Sequence, residues 1–166
     1  MQPAHNQPAK VDVRAGTAKD VPDVLPLIER TANFHAQLDP DRFRLKPGVT
    51  DSYRRWLTGR LLDNPANLFL VARLDGRAVG FVLGAMQEDA RIYAVGPIGF
   101  IHDLWVDEEQ RKQGIGRDLV QAAIDHFRQH GAEQVRLDSA VANERAQRLF
   151  RGLGFRVSTV EMLLKV

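Results

Sequence analysis

The stretch VDEEQRKQGIGRDLVQAAIDHF, Val106 to Phe127, decides how the chain is read. The apolar run PIGFIHDLWV (Pro97–Val106) ends there, and a charged turn follows. Ile115, Leu119, Ala123, Ile124 and Phe127 then recur at helical spacing. Large apolar residues at both parities of the run mark a central strand buried on both faces. Gly114 and Gly116 stand where the helix starts. A helix start offers free N–H groups and the positive end of the macrodipole. Glycines there let an anion approach the main chain, and Arg111, Lys112 and Arg117 add charge suited to phosphate. Local turn geometry is the competing reason for the two glycines.

Upstream, VDVRAG (Val11–Gly16) alternates as a short strand, and Thr17 and Asp20 have capping-box spacing. Val21, Val24, Leu25 and Ile28 predict a helix, with Pro22 in its first turn and Pro26 expected to bend it. Residues Gln37–Asp51 read as a loop, and Tyr53, Trp56, Leu57 and Leu61 as a second helix. Asn67–Leu74 and Ala78–Met86 form strands around a tight Asp75–Gly76 turn. A longer loop leads to Pro97. Beyond the central helix, which ends near Gly131, Glu133–Val141 is a strand and Ala146, Leu149, Phe150 and Leu153 a short helix with Gly154 as its cap. Phe155–Val166 reads as closing strand. The order β-α-α-β-β-β-α-β-α-β predicts an α/β domain, a mixed sheet with helices on both faces.

A chain of 166 residues, 44% hydrophobic and 27% charged, suits one domain. It has no Cys, which removes disulfides, thiolate metal sites and a cysteine nucleophile. No apolar run approaches the roughly 20 residues that span a bilayer. MQPAHNQPAK lacks the apolar core of a signal peptide. Residues 1–10 are expected to be a flexible tail and 11–166 the domain, in the cytoplasm. A net charge of +2 argues for neither nucleic acid nor membrane. His126 and His130 lie one helical turn apart, but no third ligand is signalled, so no metal is expected.

A Walker loop requires Lys-Ser/Thr after its second glycine, where Arg117 and Asp118 stand. A dinucleotide fingerprint requires a third glycine where Leu119 stands. The stretch resembles instead the acyl-CoA signature of GNAT-type N-acetyltransferases, Arg/Gln-x-x-Gly-x-Gly/Ala after a strand ending in Val. It reads Arg111-Lys112-Gln113-Gly114-Ile115-Gly116 after DLWV. Asn143, Ala146, Leu149–Phe150 and Gly154–Phe155 resemble the family's downstream Asn-x-x-Ala, Leu-Tyr and Gly-Phe. The likeness covers roughly residues 11 to 166. It implies a mostly antiparallel sheet of six to seven strands and an acetyl-CoA-dependent acyltransferase that acetylates a primary amine by direct attack. The acceptor is a small molecule or a peptide or protein amine. A homodimer is also in the family's range. The rival is a catalytically silent acyl-CoA-binding module.

The resemblance further implies that the main chain of Leu104, Trp105 and Val106 binds the pantetheine arm. The N–H groups of Arg111, Lys112, Gln113, Gly114, Ile115, Gly116 and Arg117 would hold the pyrophosphate, and Asn143 would touch the arm or cap a helix. Phe150 stands at the family's usual Tyr and carries no proton for the departing thiolate. A thiol of pKa about 8–9 can leave unaided, and Tyr53 or Tyr93 are donors that no motif places. The attacking amine is mostly protonated at neutral pH and needs a base. His102, Asp103 and Asp138 are the candidates. Strand alternation predicts that only one of His102 and Asp103 faces the acceptor.

Overall fold

The computed structural model describes residues 11–89 and 92–166. The tail expected over residues 1–10 lies outside the described residues. β2 (Leu68–Leu74) and β3 (Arg77–Gln87) form a hairpin. Its turn residues Asp75 and Gly76 have φ of 50° and 80°, the left-handed pair that a type I′ turn requires. β1 (Asp12–Ala15) pairs antiparallel with β2, and β4 (Ile98–Val106) antiparallel with β3. β5 (Gln134–Leu137) joins β4 in parallel, giving the order β1-β2-β3-β4-β5.

The helices cover both faces. α1 (Val21–Leu38) and α2 (Val49–Trp56), which a wider turn continues to Leu61, share a cluster with Phe69, Val71, Phe81 and Trp105. α3 (Ile115–Gln129) and α4 (Glu144–Arg151) pack on the opposite face over Val79, Val82 and Ile101. A glycine in β3 makes this second layer close: a Cβ at Gly84 would meet Phe127 Cζ at 2.8 Å. α1 continues unbroken for 18 residues, with Pro26 inside it. The predicted capping box before α1 forms. Thr17 N–H and Oγ1 donate to Asp20 Oδ2 at 2.9 and 2.8 Å. Arg14 and Arg73 also donate to this carboxylate, and together these contacts hold Asp20 well below the usual carboxylate range.

The sheet has five strands among the described residues, not the six to seven expected. β5 stops at Leu137 instead of Val141, and Phe155–Val166 carries no strand. Alternation records which face a segment can bury, whereas a strand also needs a neighbouring edge to pair with. Among the described residues no helix is long and apolar enough to cross a membrane.

Candidate active site

The last parallel pair between β4 and β5 is Ile101 with Leu137. β4 continues for five more residues, to Val106, with β3 on one edge and, among the described residues, no strand on the other. Two bonds fix which main-chain groups face this gap. Asp107 N–H donates to Val79 O at 2.8 Å, toward β3, and Arg111 Nε donates to Val106 O at 2.9 Å, on the other side. Because carbonyl and N–H direction alternates along a strand, Leu104 and Val106 present theirs to the gap. The main chain of Trp105 faces β3. Its side chain is buried under α1, edge-on to Phe34 at 5.8 Å.

Opposite Ile101–Asp103 the ladder slips. Leu83 pairs with Asp103 and Gly84 with Ile101, so His102 is the extra residue of a bulge. Two adjacent side chains therefore both meet α2. The His102 ring lies 5.5 Å from Trp56, perpendicular to it, and Asp103 Oδ2 accepts from Tyr53 Oη at 2.9 Å. The expectation that only one of the two faces this side is thereby corrected. Burial pushes the Asp103 carboxyl up to about 6, with the Tyr53 hydrogen bond pulling the other way. Burial, then the charge of Asp103, raises the Tyr53 phenol above its ordinary value. His102 stays below the usual imidazole value because its aromatic neighbours strip water from it, while Asp138 opposes that shift. Asp138 follows Leu137 directly and is exposed. A carboxyl titrating near neutrality beside an imidazole can accept a proton from a bound cation.

The turn beyond β4 leaves donors free. The N–H groups of Ile115, Gly116 and Arg117 have no carbonyl within α3, and Asp118 N–H is the first to bond back, to Gly114 O at 3.0 Å. Gly114 sits at φ 86°, a left-handed geometry that glycine adopts without strain, and Lys112 at φ 66°. Gly116 has an ordinary helical φ, and a Cβ there would meet Leu149 and Val106 at only 3.4 and 3.7 Å. Packing alone does not demand that glycine, whereas an anion lying against the main chain would. Arg111 also lies over Trp105, 4.7 Å from the ring centroid, and pairs with Glu108. Its pKa is lowered by burial and then by the like charge of Arg145. Their like charges repel, and a bound anion relieves that repulsion. Arg145 on α4 has no motif to announce it, and sequence reading missed it.

The other predicted residues divide. Ile115 is core and contributes only its N–H. Arg117 donates to Gly152 O at 3.3 Å, tying α3 to α4, and Gln113 to Gln110 Oε1. Asn143 caps α4, its Oδ1 accepting from Ala146 N–H at 3.2 Å. Phe150 is buried and edge-on to Phe155. Tyr93 is exposed on the β3–β4 loop. Ser139, just past Asp138, also escaped sequence reading, and its buried Oγ has no partner among the described residues. On the α1 side a cleft of about 520 Å³ opens beside Trp105, between Asn33 and Gln37 and the acidic turn of Glu108 and Glu109. Among the described residues no cluster of three metal-ligating side chains occurs.

The profile of the acetyltransferase (GNAT) family matches residues 31–155. A mycothiol acetyltransferase of Thermobispora bispora is 39% identical over 102 residues, 61% of this chain and 34% of that protein. An aminoglycoside N(6′)-acetyltransferase type 1 of Stenotrophomonas maltophilia is 30% identical over 118 residues, 69% of this chain and 74% of that one. The chain spans about a third of the length of the mycothiol acetyltransferase it matches. Among solved structures, the aminoglycoside N-acetyltransferase AAC(6′)-Iy in complex with CoA superposes with a TM-score of 0.75 at 17% identity, covering 97% of both chains. The BH1408 protein from Bacillus halodurans superposes with a TM-score of 0.76 at 24% identity. With a profile match over most of its length, the chain belongs to the acetyltransferase (GNAT) family.

Proposed function

We propose that the protein is an N-acetyltransferase that moves an acetyl group from acetyl-CoA to a primary amine by direct attack. One observation carries the reading: β4 offers an unpaired edge that leads into a turn rich in free N–H groups and positive charge. That is the shape of an extended amide-bearing arm ending in a pyrophosphate. The main chain of Leu104 and Val106 would bond the arm as an added strand does. The turn at residues 111–117 and Arg145 would hold the phosphates, and Ser139 Oγ and the spare Nδ2 of Asn143 would reach the arm. Acetyl-CoA supplies the activated thioester carbonyl. Leu104 N–H would stabilise negative charge that develops on the carbonyl oxygen.

Asp103 is our choice of base. Desolvation pushes its carboxyl up to about 6, and it lies on the α2 side, where an acceptor would approach. His102 and Asp138 flank it as a relay to solvent. Phe150 leaves the thiolate without a family-type donor, so the thiol departs unaided or through water. The acceptor we favour is a small-molecule amine of amino-sugar type. The aminoglycoside and mycothiol acetyltransferases among the relatives support this. Phe150 also supports a second reading, a module that binds acyl-CoA without turnover.

Thiol release from acetyl-CoA against a panel of amino sugars, polyamines and peptides tests both, with CoA binding followed by thermal shift. Stabilisation with turnover on one class establishes the enzyme and its acceptor. Stabilisation with no turnover on any amine favours the binding module. No stabilisation by CoA refutes the reading of the gap and turn.

A further inference from the structure

Four rings meet on the α2 side of β4. Trp56 stands perpendicular to His102, at 5.5 Å and 90°, and nearly so to Tyr53, at 5.9 Å and 80°. Phe100 lies 5.1 Å from His102, tilted by 49°. Rings that served only as packing would be covered, as Leu57 and Leu61 of the same helical stretch are. Tyr53, Trp56 and Phe100 are instead half-buried, and His102 is exposed. The Asp103 carboxylate lies beside them, held by Tyr53 Oη, and among the described residues no Lys or Arg pairs with it. The protein's own cations leave these rings open as well. Among the described residues the cation–π contacts are Arg42 on Phe43 and Arg111 on Trp105.

Ring faces are electron-rich and attract a cation that has shed its water, and steep mutual angles let several rings bear on one guest. Burial pushes the Asp103 carboxyl up only to about 6, so it is ionised at neutral pH. His102 is neutral there, because burial lowers its pKa, and it serves as a wall without a competing charge. We propose that Tyr53, Trp56, Phe100 and His102 wall an open aromatic box, with the Asp103 carboxylate at one side, that takes an alkylammonium group. The acceptor is then an aliphatic amine with no carboxylate beside its nitrogen. Such a carboxylate would lie against the like charges of Asp103 and of Asp138, whose field already reaches His102. The acceptor class rests on the reading of the α2 side as the acceptor side, whereas the box itself does not.

Choline and 3,3-dimethylbutan-1-ol share one shape and differ in charge, so they separate cation recognition from apolar burial. Calorimetric titration at neutral pH should show choline bound and the alcohol bound about tenfold more weakly or not at all. Trp56→Ala should weaken choline binding by about tenfold, Trp56→Phe should keep most of it because a ring remains, and Asp103→Asn should weaken it too. CoA-induced thermal shift should persist in every variant, which marks each chain as folded. In turnover, choline should compete with the amine and not with acetyl-CoA, and aliphatic diamines should be acetylated faster than amino acids. Equal affinity for the two probes overturns the box, and so does unchanged choline binding in Trp56→Ala. A preference for amino acids overturns the acceptor class. Choline binding to a protein that CoA does not stabilise supports the box and sinks the acetyl-CoA reading. Stabilisation by CoA without choline binding sinks the box and leaves that reading standing.

Discussion

Tyr53 donates its hydroxyl to Asp103 Oδ2 at 2.9 Å, joining the inner face of α2 to the bulged centre of β4. The bond runs between α2 and a carboxyl that burial has pushed up to about 6. A base must be deprotonated to work, so kcat/KM should rise with pH through about 6 and then level off. Asp103→Asn should lower kcat/KM by about 10²- to 10⁴-fold, the usual contribution of a positioned base, and remove that acid limb. A pH–rate profile checks it. An unchanged limb in the variant would transfer the role to His102.

Tyr53→Phe tests the same pair from the other side. A hydrogen bond to the ionised carboxylate favours that form, so removing it should raise the Asp103 pKa further. The acid limb should move to higher pH, while KM for acetyl-CoA stays near its original value because Tyr53 sits on the α2 side. A fall in kcat with no movement of the limb would make Tyr53 a packing residue only.

Much of this site was legible before the structure. The turn at Gly114 and Gly116, the cap at Asn143 and the buried Phe150 follow from local spacing, which the sequence displays directly. Period-2 and period-3.6 patterns located nine of the ten elements. What they missed depends on contacts between distant segments. The bulge at His102 is a relation between β4 and β3, and no pattern within β4 alone announces it. The charge of Arg145 on α4 acts on Arg111, in a turn more than thirty residues earlier. The tenth element, at Phe155–Val166, has a strand's alternation but pairs with no strand among the described residues.

Gly116 separates ligand demand from fold demand. Its Cβ would make only ordinary contacts, and alanine is the better helix former by about 1 kcal/mol. Gly116→Ala should therefore leave the melting temperature equal or higher while weakening CoA binding, and Gly116→Trp should abolish binding in a folded protein. Gly114→Ala should behave oppositely. A φ of 86° penalises any Cβ by about 1–2 kcal/mol, so stability should fall even without ligand. Calorimetric titration with CoA beside thermal melts measures both. Equal CoA affinity in Gly116→Trp would remove the turn from the phosphate site.

Asp20 and Asp103 should pull the acid stability of the fold in opposite directions. Asp20 is 2% exposed, and its folded pKa lies below the unfolded value. Its contribution is present above pH about 4 and is lost as pH falls through the folded pKa. Asp103 has a folded pKa above the unfolded one, so its burial costs stability as pH rises from about 4 through about 6, on the order of 2–3 kcal/mol. Asp20→Asn should destabilise the protein at neutral pH by about 3 kcal/mol, since it leaves Arg14 and Arg73 without their shared carboxylate. The variant should also lose the steep fall in stability below pH 4. Asp103→Asn should be as stable as the parent or more so at pH 7 and should flatten the curve between pH 4 and 6. Urea midpoints across this range separate the two. A parent curve without any decline between pH 4 and 6 would mean that Asp103 is better hydrated than its packing under Tyr53 implies.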